Sequence, residues 1–284
     1  MINVEQLSYR YPGANKRTLQ GIDFSIARGE VFGFLGPSGA GKSTTQKILI
    51  GALRNYTGSV QVQGQEIRDL GPDYYEKIGV AFEFPNFYSK FTALENLKMF
   101  QSLYKKSKDN PMDILRKVGL EQAANMKVSQ FSKGMKMRLN FCRAILHHPD
   151  ILFLDEPTSG LDPLNAKIMK DLILEQKSAG TTVLITTHNM HAAEELCDRV
   201  AFIVDGQISL IDSPRALKLH HGQKRVRLEY TLSNEKHIEE FPMHNLGENT
   251  RFLQLIRQHP IETLHSLEGT LDQIFIDVTG RTLV

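Results

Sequence analysis

The sequence predicts an α/β fold, and three features of the chain support this prediction. Short apolar runs of strand length, such as Val31–Leu35 and Ile151–Leu154, alternate with helical patterns, which is typical of a parallel sheet covered on both faces. A helical block at about 84–147 interrupts this alternation. Beyond residue 218, a half-exposed strand pattern and two short helical patterns follow. We therefore predict a domain over 1–218 with an inserted helical subdomain, and a small α+β appendage over 219–284.

The composition is that of an ordinary globular protein and argues against several classes. The 284 residues are 41% hydrophobic and carry a formal net charge of +2, whereas a nucleic-acid binder usually has a concentrated basic face. We therefore expect no nucleic-acid partner. The apolar runs are much shorter than the roughly 20 residues of a membrane helix, and we expect no signal peptide. Cys142 and Cys197 lie in helical patterns and are expected to be reduced packing thiols.

A glycine-rich segment fits the phosphate-loop pattern G-x-x-x-x-G-K-[ST] between a predicted strand (Glu30–Leu35) and a predicted helix (Ser43–Leu53). In such a loop, backbone N–H groups surround phosphate oxygens, the lysine reaches the β- and γ-phosphates, and the hydroxyl can ligate Mg²⁺. We assign the last two roles to Lys42 and Ser43. The predicted nucleotide-binding residues of the loop are Gly36, Pro37, Ser38, Gly39, Ala40, Gly41, Lys42, Ser43 and Thr44.

Two acidic residues and a histidine follow two further predicted strands. Asp155 and Glu156 come directly after Ile151–Leu154, and His188 follows the apolar run Val183–Thr187. Ligands of open α/β sheets bind at the carboxyl ends of the strands, so these side chains are expected at one edge. We interpret Asp155 as a Mg²⁺ ligand and Glu156 as the general base that activates water. The histidine is expected to contact the γ-phosphate or to orient the water.

The order and spacing of these motifs resemble the ATP-binding subunits of ABC transporters over residues 1 to about 215. The segment Phe131–Met135 stands where that family has its signature, usually written LSGGQ, and it keeps the serine (Ser132) and the second glycine (Gly134). Ser159–Asp162 resembles the D-loop of the family. Tyr11 resembles its adenine-stacking aromatic residue. His188 resembles its switch histidine.

The resemblance implies a P-loop NTPase (RecA-like) core with an antiparallel β part, the inserted helical subdomain, and ATP and Mg²⁺ as cofactors. It implies that Ser132 and Gly134 serve the nucleotide of a second cassette, so that two cassettes, here expected as a homodimer, close head to tail around ATP. The alternative for Ser132 is a helix cap alone. The resemblance further implies a separate transmembrane permease subunit and a cytoplasmic position, peripheral on the inner face of the cell membrane.

The branch of the family indicates a direction of transport. The signature segment and the tail from Ser266 to Arg281 resemble prokaryotic exporters of drugs or antimicrobial peptides, which favours export of such a compound over import. Two other functions remain open. One is an ABC ATPase without a permease, acting in DNA repair or on the ribosome. The other is a kinase or GTPase, although the sequence has no N/T-K-x-D motif for guanine.

Glu83 lies between two phenylalanines, where a carboxylate is costly to desolvate unless it binds something. The family has a glutamine at this strand end that reaches Mg²⁺ or the attacking water, so the resemblance implies catalytic and metal-binding roles for Glu83. A solvated loop acid is the alternative. The resemblance also implies that the adjoining aromatic residues dock a permease helix, against the alternative of packing inside the helical subdomain. These residues are Phe84, Phe87, Tyr88 and Phe91.

Overall fold

A computed structural model describes residues 1–105, 109–222, 224–233, 235–267 and 269–282. Two compact units cover Met1–Ser213 and Pro214–Arg281. The division lies five residues before the predicted boundary at 218. Residues Pro214–His221 form a helix that packs against the last helix of the second unit, and the helix therefore belongs to that unit.

The first unit contains both strands and helices. Its strands are β1 (Ile2–Tyr9), β2 (Leu19–Ile26), β3 (Val31–Leu35), β4 (Thr57–Val62), β5 (Gln65–Glu66), β6 (Ile78–Ala81), β7 (Ile151–Asp155), β8 (Thr182–Thr187), β9 (Arg199–Val204) and β10 (Gln207–Asp212). Its helices are α1 (Lys42–Leu49), α2 (Ala93–Gln101), α3 (Pro111–Lys117), α4 (Lys133–Ile145), α5 (Pro163–Ser178) and α6 (Met190–Leu196). Short 3₁₀ turns cover Ile67–Asp69, Pro72–Tyr74, Glu121–Ala123 and Val128–Gln130.

The central sheet has the strand order β10-β9-β3-β8-β7-β6. Strands β9, β3, β8, β7 and β6 run parallel, and β10 pairs with β9 in the antiparallel sense. Every residue of β3 and β8 is buried, as expected for strands of a parallel sheet with both faces covered. The predicted α/β class is therefore confirmed. The carboxyl ends of β3, β6, β7 and β8 meet at one edge, which positions the loops that follow them.

A second sheet, with the order β2-β1-β4-β5, is antiparallel. Its inner face packs against the central sheet through aromatic side chains. Phe24 of β2 lies edge-on to Phe34 of β3, with 4.9 Å between ring centres, and stacks on Phe32 at 5.8 Å. Such pairs add to the stabilisation from burial. This core holds β3, and with it the start of the phosphate loop, in place.

Within the predicted helical subdomain, local sequence signals set where each helix begins. Thr92 and Glu95 form a capping box at the start of α2. Asn110 caps α3, and Pro111 occupies its first turn, where a proline is tolerated because its missing N–H has no helical partner. Ser132 caps α4 by accepting a hydrogen bond from the N–H of Met135 at 3.2 Å.

The helix after the phosphate loop is shorter than predicted. It ends at Leu49 rather than at Leu53. Gly51 adopts a left-handed conformation, with a φ of 75°, which is the usual way for a helix to end.

The two cysteines are buried, as expected for packing thiols. Both Cys142 and Cys197 are buried free thiols, and burial raises the pKa of each. Among the residues described, every helix is too short or too polar to cross a membrane.

The second unit is built on an antiparallel sheet of order β12-β11-β13. Its elements are α7 (Pro214–His221), β11 (Arg225–Leu232), β12 (Glu235–Pro242), a 3₁₀ turn (Leu246–Glu248), α8 (Thr250–Gln258), β13 (Ile261–Leu267) and α9 (Leu271–Thr279). Val226, Leu228 and Tyr230 of β11 pack with Phe252 and Leu255 of α8. The α+β class predicted for this segment agrees with these elements, although the sequence analysis had assigned only one of the three strands.

Candidate functional site

The phosphate loop connects β3 to α1, and glycine is required at two of its positions. Gly41 has a φ of +114°, and a Cβ atom there would lie 2.7 Å from Cδ2 of Leu19. A Cβ atom at Gly36 would lie 2.1 Å from the carbonyl oxygen of Ile203. Because backbone cannot move aside as a side chain can, the loop keeps this close path against β9 only with glycine at position 36.

Lys42 extends back across the loop that precedes it. Its Nζ donates hydrogen bonds to the carbonyl oxygens of Gly36, at 2.6 Å, and Pro37, at 2.9 Å. Burial lowers the pKa of Lys42, while the negative charges of Glu156, Asp155 and Glu83 raise it. The ammonium therefore lies on the loop with three carboxylates around it.

Asp155 ends β7 and faces two hydroxyl groups. Its Oδ1 accepts a hydrogen bond from Thr186, its partner in the parallel register of β8. Its Oδ2 accepts one from Oγ of Ser43 at 3.4 Å. Burial raises the pKa of Asp155, and the hydrogen bond from Thr186 opposes this shift. A carboxylate and a hydroxyl oxygen at this separation form a ligand pair of the type that Mg²⁺ prefers.

Glu156 follows in a left-handed conformation, with a φ of 49°, and its side chain is held by β8. Oε2 accepts a hydrogen bond from Oγ1 of Thr187 at 2.9 Å. Oε1 accepts one from the backbone N–H of His188 at 2.9 Å and lies 2.7 Å from Nδ1 of the same histidine. The carboxylate is thus fixed at both oxygens while 58% of the His188 side chain remains exposed.

The hydroxyl of Thr187 has a fixed direction. Its oxygen accepts a hydrogen bond from the N–H of Asn189 at 3.0 Å, so its single proton is directed to Glu156. Asn189 in turn caps α6 through its side chain. Thr186 and Thr187 were not predicted as site residues. Their place at the end of β8, beside the acidic end of β7, is the signal that could have found them.

Most of the predicted residues meet at one cavity of about 500 Å³, a volume within the usual range for small-molecule sites. The predicted residues that line it are Tyr11, Ser38, Gly39, Ala40, Gly41, Lys42, Ser43, Thr44, Glu83, Asp155, Glu156 and His188. Thr18 also lines it and was not predicted. Gly36 and Pro37 do not line the cavity, but their carbonyl oxygens hold Lys42.

Tyr11, which follows β1, and Glu83, which follows β6, both line the cavity. Oη of Tyr11 lies 3.3 Å from Oγ1 of Thr44, and its ring packs edge-on against Tyr9, with 4.9 Å between ring centres. Glu83 follows β6, whose register pairs Ala81 with Leu154 of β7. This pairing brings the half-buried carboxylate of Glu83 to the same edge as Asp155, so the structure places it at the cavity rather than in open solvent.

Ser132 and Gly134 do not line this cavity. They begin α4, and the start of this helix packs against the segment Ser159–Asp162. A Cβ atom at Gly160 would lie 3.0 Å from Cε of Lys133, and one at Gly134 would lie 3.3 Å from Cδ2 of Leu161. The signature segment and the D-loop segment of one chain are therefore in direct contact.

Comparison with known proteins identifies the family. The chain is 50% identical over 284 residues to the fluoroquinolones export ATP-binding protein of Mycobacterium tuberculosis (strain ATCC 25618 / H37Rv), an alignment that covers 100% of this chain and 94% of the relative. The chain belongs to the ATP-binding subunits of ABC transporters. A family model described as ABC transporter matches residues 19–159 of this ABC subunit. A second model, described as the fluoroquinolone efflux ABC transporter C-terminal domain, matches residues 224–268.

A more distant relative and two solved structures agree with this assignment. The bacitracin transport ATP-binding protein of Bacillus licheniformis is 31% identical over 291 residues, covering 94% of each chain. A structure of an ATP-binding subunit of an ABC transporter has a TM-score of 0.69 at 29% identity, covering 77% of this chain and 92% of that chain. A dimeric ATP-binding cassette in a post-hydrolysis state with ADP and Pi has a TM-score of 0.67 at 25% identity, covering 75% of this chain and 98% of that chain.

The predicted family, the RecA-like P-loop fold and the ATPase activity are thereby confirmed. This ABC subunit binds ATP and hydrolyses it to drive a separate membrane permease, and cassettes of its family dimerise around the nucleotide. The relatives described above are transport proteins, which favours a transporter over an ABC ATPase that acts without a permease.

Proposed function

We propose that this chain powers a drug exporter and that fluoroquinolones are its first candidate cargo. The observation that carries this proposal is the end-to-end similarity to a fluoroquinolones export protein at 50% identity. The similarity extends to the second unit, because β11, β12 and β13 all fall within the 224–268 segment matched by the fluoroquinolone efflux C-terminal model. A general nucleotide-binding cassette alone would not account for this match.

The geometry of the cavity supports a role for each of its polar residues. Glu156 is the general base that takes the proton of the attacking water. His188, whose Nδ1 lies 2.7 Å from Oε1 of Glu156, orients this carboxylate. Tyr11 stacks on the adenine. Asp155 and Ser43, whose oxygen atoms lie 3.4 Å apart, are the residues that would hold Mg²⁺, with Glu83 beside them. When bound there, the ion would neutralise charge on the β- and γ-phosphates.

We further propose that the cassette forms a homodimer on the inner face of the cell membrane, in the cytoplasm. Ser132 and Gly134 begin α4 outside the nucleotide cavity of their own chain, so they are available to a nucleotide held by a second copy. The N-terminus of α4 carries the positive end of the helix dipole, which favours a phosphate group at that position.

The permease is proposed to dock in an apolar groove of about 450 Å³ between the central sheet and the helical subdomain. Phe84 lines this groove and is 74% exposed, as expected for a side chain that a partner covers. Phe87 instead packs on Phe100 within the helical subdomain, with 6.2 Å between ring centres. Tyr88 and Phe91 stack on each other, with 5.4 Å between ring centres, and are exposed.

Replacing Glu83 with glutamine should raise the affinity for ATP in the absence of Mg²⁺ by about fivefold, and so make ATP binding less dependent on Mg²⁺. At 4 Å in water, repulsion between two unit charges is worth about 1 kcal/mol, and a glutamine would remove this repulsion with the γ-phosphate. The measurement is binding of a fluorescent ATP analogue across a Mg²⁺ titration. Glu248→Gln, at an exposed position in the second unit, is the control. Superimposable curves for Glu83→Gln and the wild type would mean that Glu83 is a loop acid.

Export itself is tested by expressing the chain, in a drug-susceptible bacterium, with any polytopic membrane protein encoded beside its gene. We expect the two proteins to co-purify and to lower the intracellular accumulation of a fluoroquinolone, and Glu156→Gln should abolish this effect. If fluoroquinolone accumulation is unchanged while accumulation of a peptide antibiotic falls, the proposed cargo is wrong. The assignment of the chain to an exporter would still stand. Failure of the two proteins to co-purify would contradict the proposed function as a whole.

A further inference from the structure

The docking groove contains an arginine that has no acidic partner among the residues that the structure describes. Arg143 lies on α4 and lines the groove. Its guanidinium group lies 5.1 Å from the ring centres of both Phe87 and Phe100. It donates hydrogen bonds to the carbonyl oxygen of Asn86 at 3.1 Å and to Oδ1 of Asn140 at 2.6 Å. These partners are neutral groups and aromatic faces, so none of them carries a full negative charge.

Arg143 differs in this respect from the arginines that form ion pairs, although Arg54 and Arg138 also donate to carbonyl oxygens. Arg68, Arg116, Arg199, Arg227 and Arg251 each lie within 4 Å of a carboxylate oxygen. Within the described parts of the chain, Arg143 has no such ion pair. Burial also lowers the pKa of Arg143, which shows that the guanidinium is partly removed from water. A cation in an apolar setting without a counter-charge is costly, and an anion that reaches it is strongly attracted.

The side chains of the groove indicate which kind of molecule carries such an anion. The walls around Arg143 are apolar and include Phe82, Phe84 and Leu103. A free inorganic anion would leave these side chains exposed, whereas a helix with a carboxylate between apolar side chains would cover them and supply the charge together. Arginine suits this role because its planar group binds a carboxylate through two parallel hydrogen bonds.

We propose that Arg143 pairs with a carboxylate on the permease helix that docks in this groove, and that this carboxylate is flanked by apolar side chains. The inference rests on the proposed function, in which the permease occupies the groove. It adds the charged contact that fixes the position of that helix.

A short chain of hydrogen bonds connects Arg143 to the nucleotide cavity. Asn140, which accepts from Arg143, also donates from Nδ2 to the carbonyl oxygen of Phe82 at 2.7 Å. Phe82 precedes Glu83, whose side chain lines the cavity. Arg143 is therefore two hydrogen bonds away from the backbone beside Glu83, so an acid that binds the guanidinium group can affect this backbone.

The test measures assembly of the purified chain with its co-expressed permease in detergent, together with permease-stimulated ATPase activity. We expect Arg143→Met to weaken assembly at least about 30-fold, because truncating one partner of a buried charge pair is costly. Arg143→Glu should abolish assembly, and one acidic-to-arginine substitution in the permease helices should restore it. Arg116→Met, at an exposed arginine on α3, is the matched control and should assemble normally.

A second pair of variants keeps the proposal testable if Arg143 variants fold poorly. Phe84 is 74% exposed at the same groove, so substitutions there should leave the fold intact. If the docking helix is acidic, Phe84→Lys should assemble more tightly than Phe84→Glu. The reverse order, or normal assembly of folded Arg143→Met, would overturn the proposal while leaving the proposed function in place. Absence of assembly with the wild-type chain would overturn both.

Discussion

Replacing Glu156 with glutamine should lower the rate of ATP hydrolysis by about 10²- to 10⁴-fold, the usual contribution of a general base. Glutamine has nearly the same shape, and its side-chain oxygen can still accept the hydrogen bond that Thr187 donates at 2.9 Å. An amide cannot take a proton from water, so the loss should fall on the chemical step and not on ATP affinity. Phosphate release under saturating ATP, compared with binding of a fluorescent analogue, separates the two quantities.

The same variant should accumulate as an ATP-bound dimer on a sizing column, because the nucleotide that holds the two copies together is no longer consumed. A double variant that also carries Ser132→Arg should not form this dimer. Nucleotide binding by the monomer should be unchanged, since Ser132 lies outside the cavity of its own chain. Near-normal turnover by Glu156→Gln would show that another group is the base. If the double variant loses ATP binding by the monomer as well as dimerisation, Ser132 does not act on the nucleotide of the other copy.

Replacing Lys42 with alanine should weaken ATP binding by about 10- to 100-fold. A hydrogen bond to a charged group contributes about 1.5–3 kcal/mol, and the backbone N–H groups of the loop would remain to bind the phosphates. The measurement is the affinity for a fluorescent ATP analogue, with thermal unfolding followed in parallel. This second reading is needed because Nζ of Lys42 also supports the loop through the carbonyl oxygens of Gly36 and Pro37.

Lys47→Ala is the matched control for this measurement. Lys47 is an exposed lysine on the same helix, so its removal changes the net charge by the same amount without touching the loop. ATP affinity of Lys42→Ala within a few-fold of the wild type would contradict the assignment of Lys42 to the phosphates.

The sequence was sufficient to predict that four polar side chains gather at the cavity. Each of Glu83, Asp155, Glu156 and His188 follows an apolar run, and parallel pairing brings the ends of such runs to one edge. The contacts among them were not predictable. Strand spacing does not reveal that Thr187 donates to Glu156, because this depends on the left-handed backbone at Glu156 and on the register between β7 and β8.

The second unit was harder to predict for a different reason. Its strand β11 is central, and its alternation of Val226, Leu228 and Tyr230 with polar residues is clear. The neighbouring strands β12 and β13 are edge strands and bury little, so their sequences show few apolar positions. Charged residues such as those of the run from Glu235 to Glu240 are common on edge strands, where they discourage pairing with other chains.

The contact between Lys133 and Gly160 has a consequence for the kinetics of the pair of cassettes. Glu156 lies four positions before Gly160 in the chain, and a hydrogen bond from the N–H of Ser159 to the carbonyl oxygen of Glu156, at 3.1 Å, tightens the segment between them. In the proposed dimer, a phosphate that draws Ser132 toward one active site therefore displaces the turn that carries the base of the other. The two active sites would then hydrolyse ATP cooperatively, and the rate of hydrolysis would depend on ATP concentration in a sigmoidal manner.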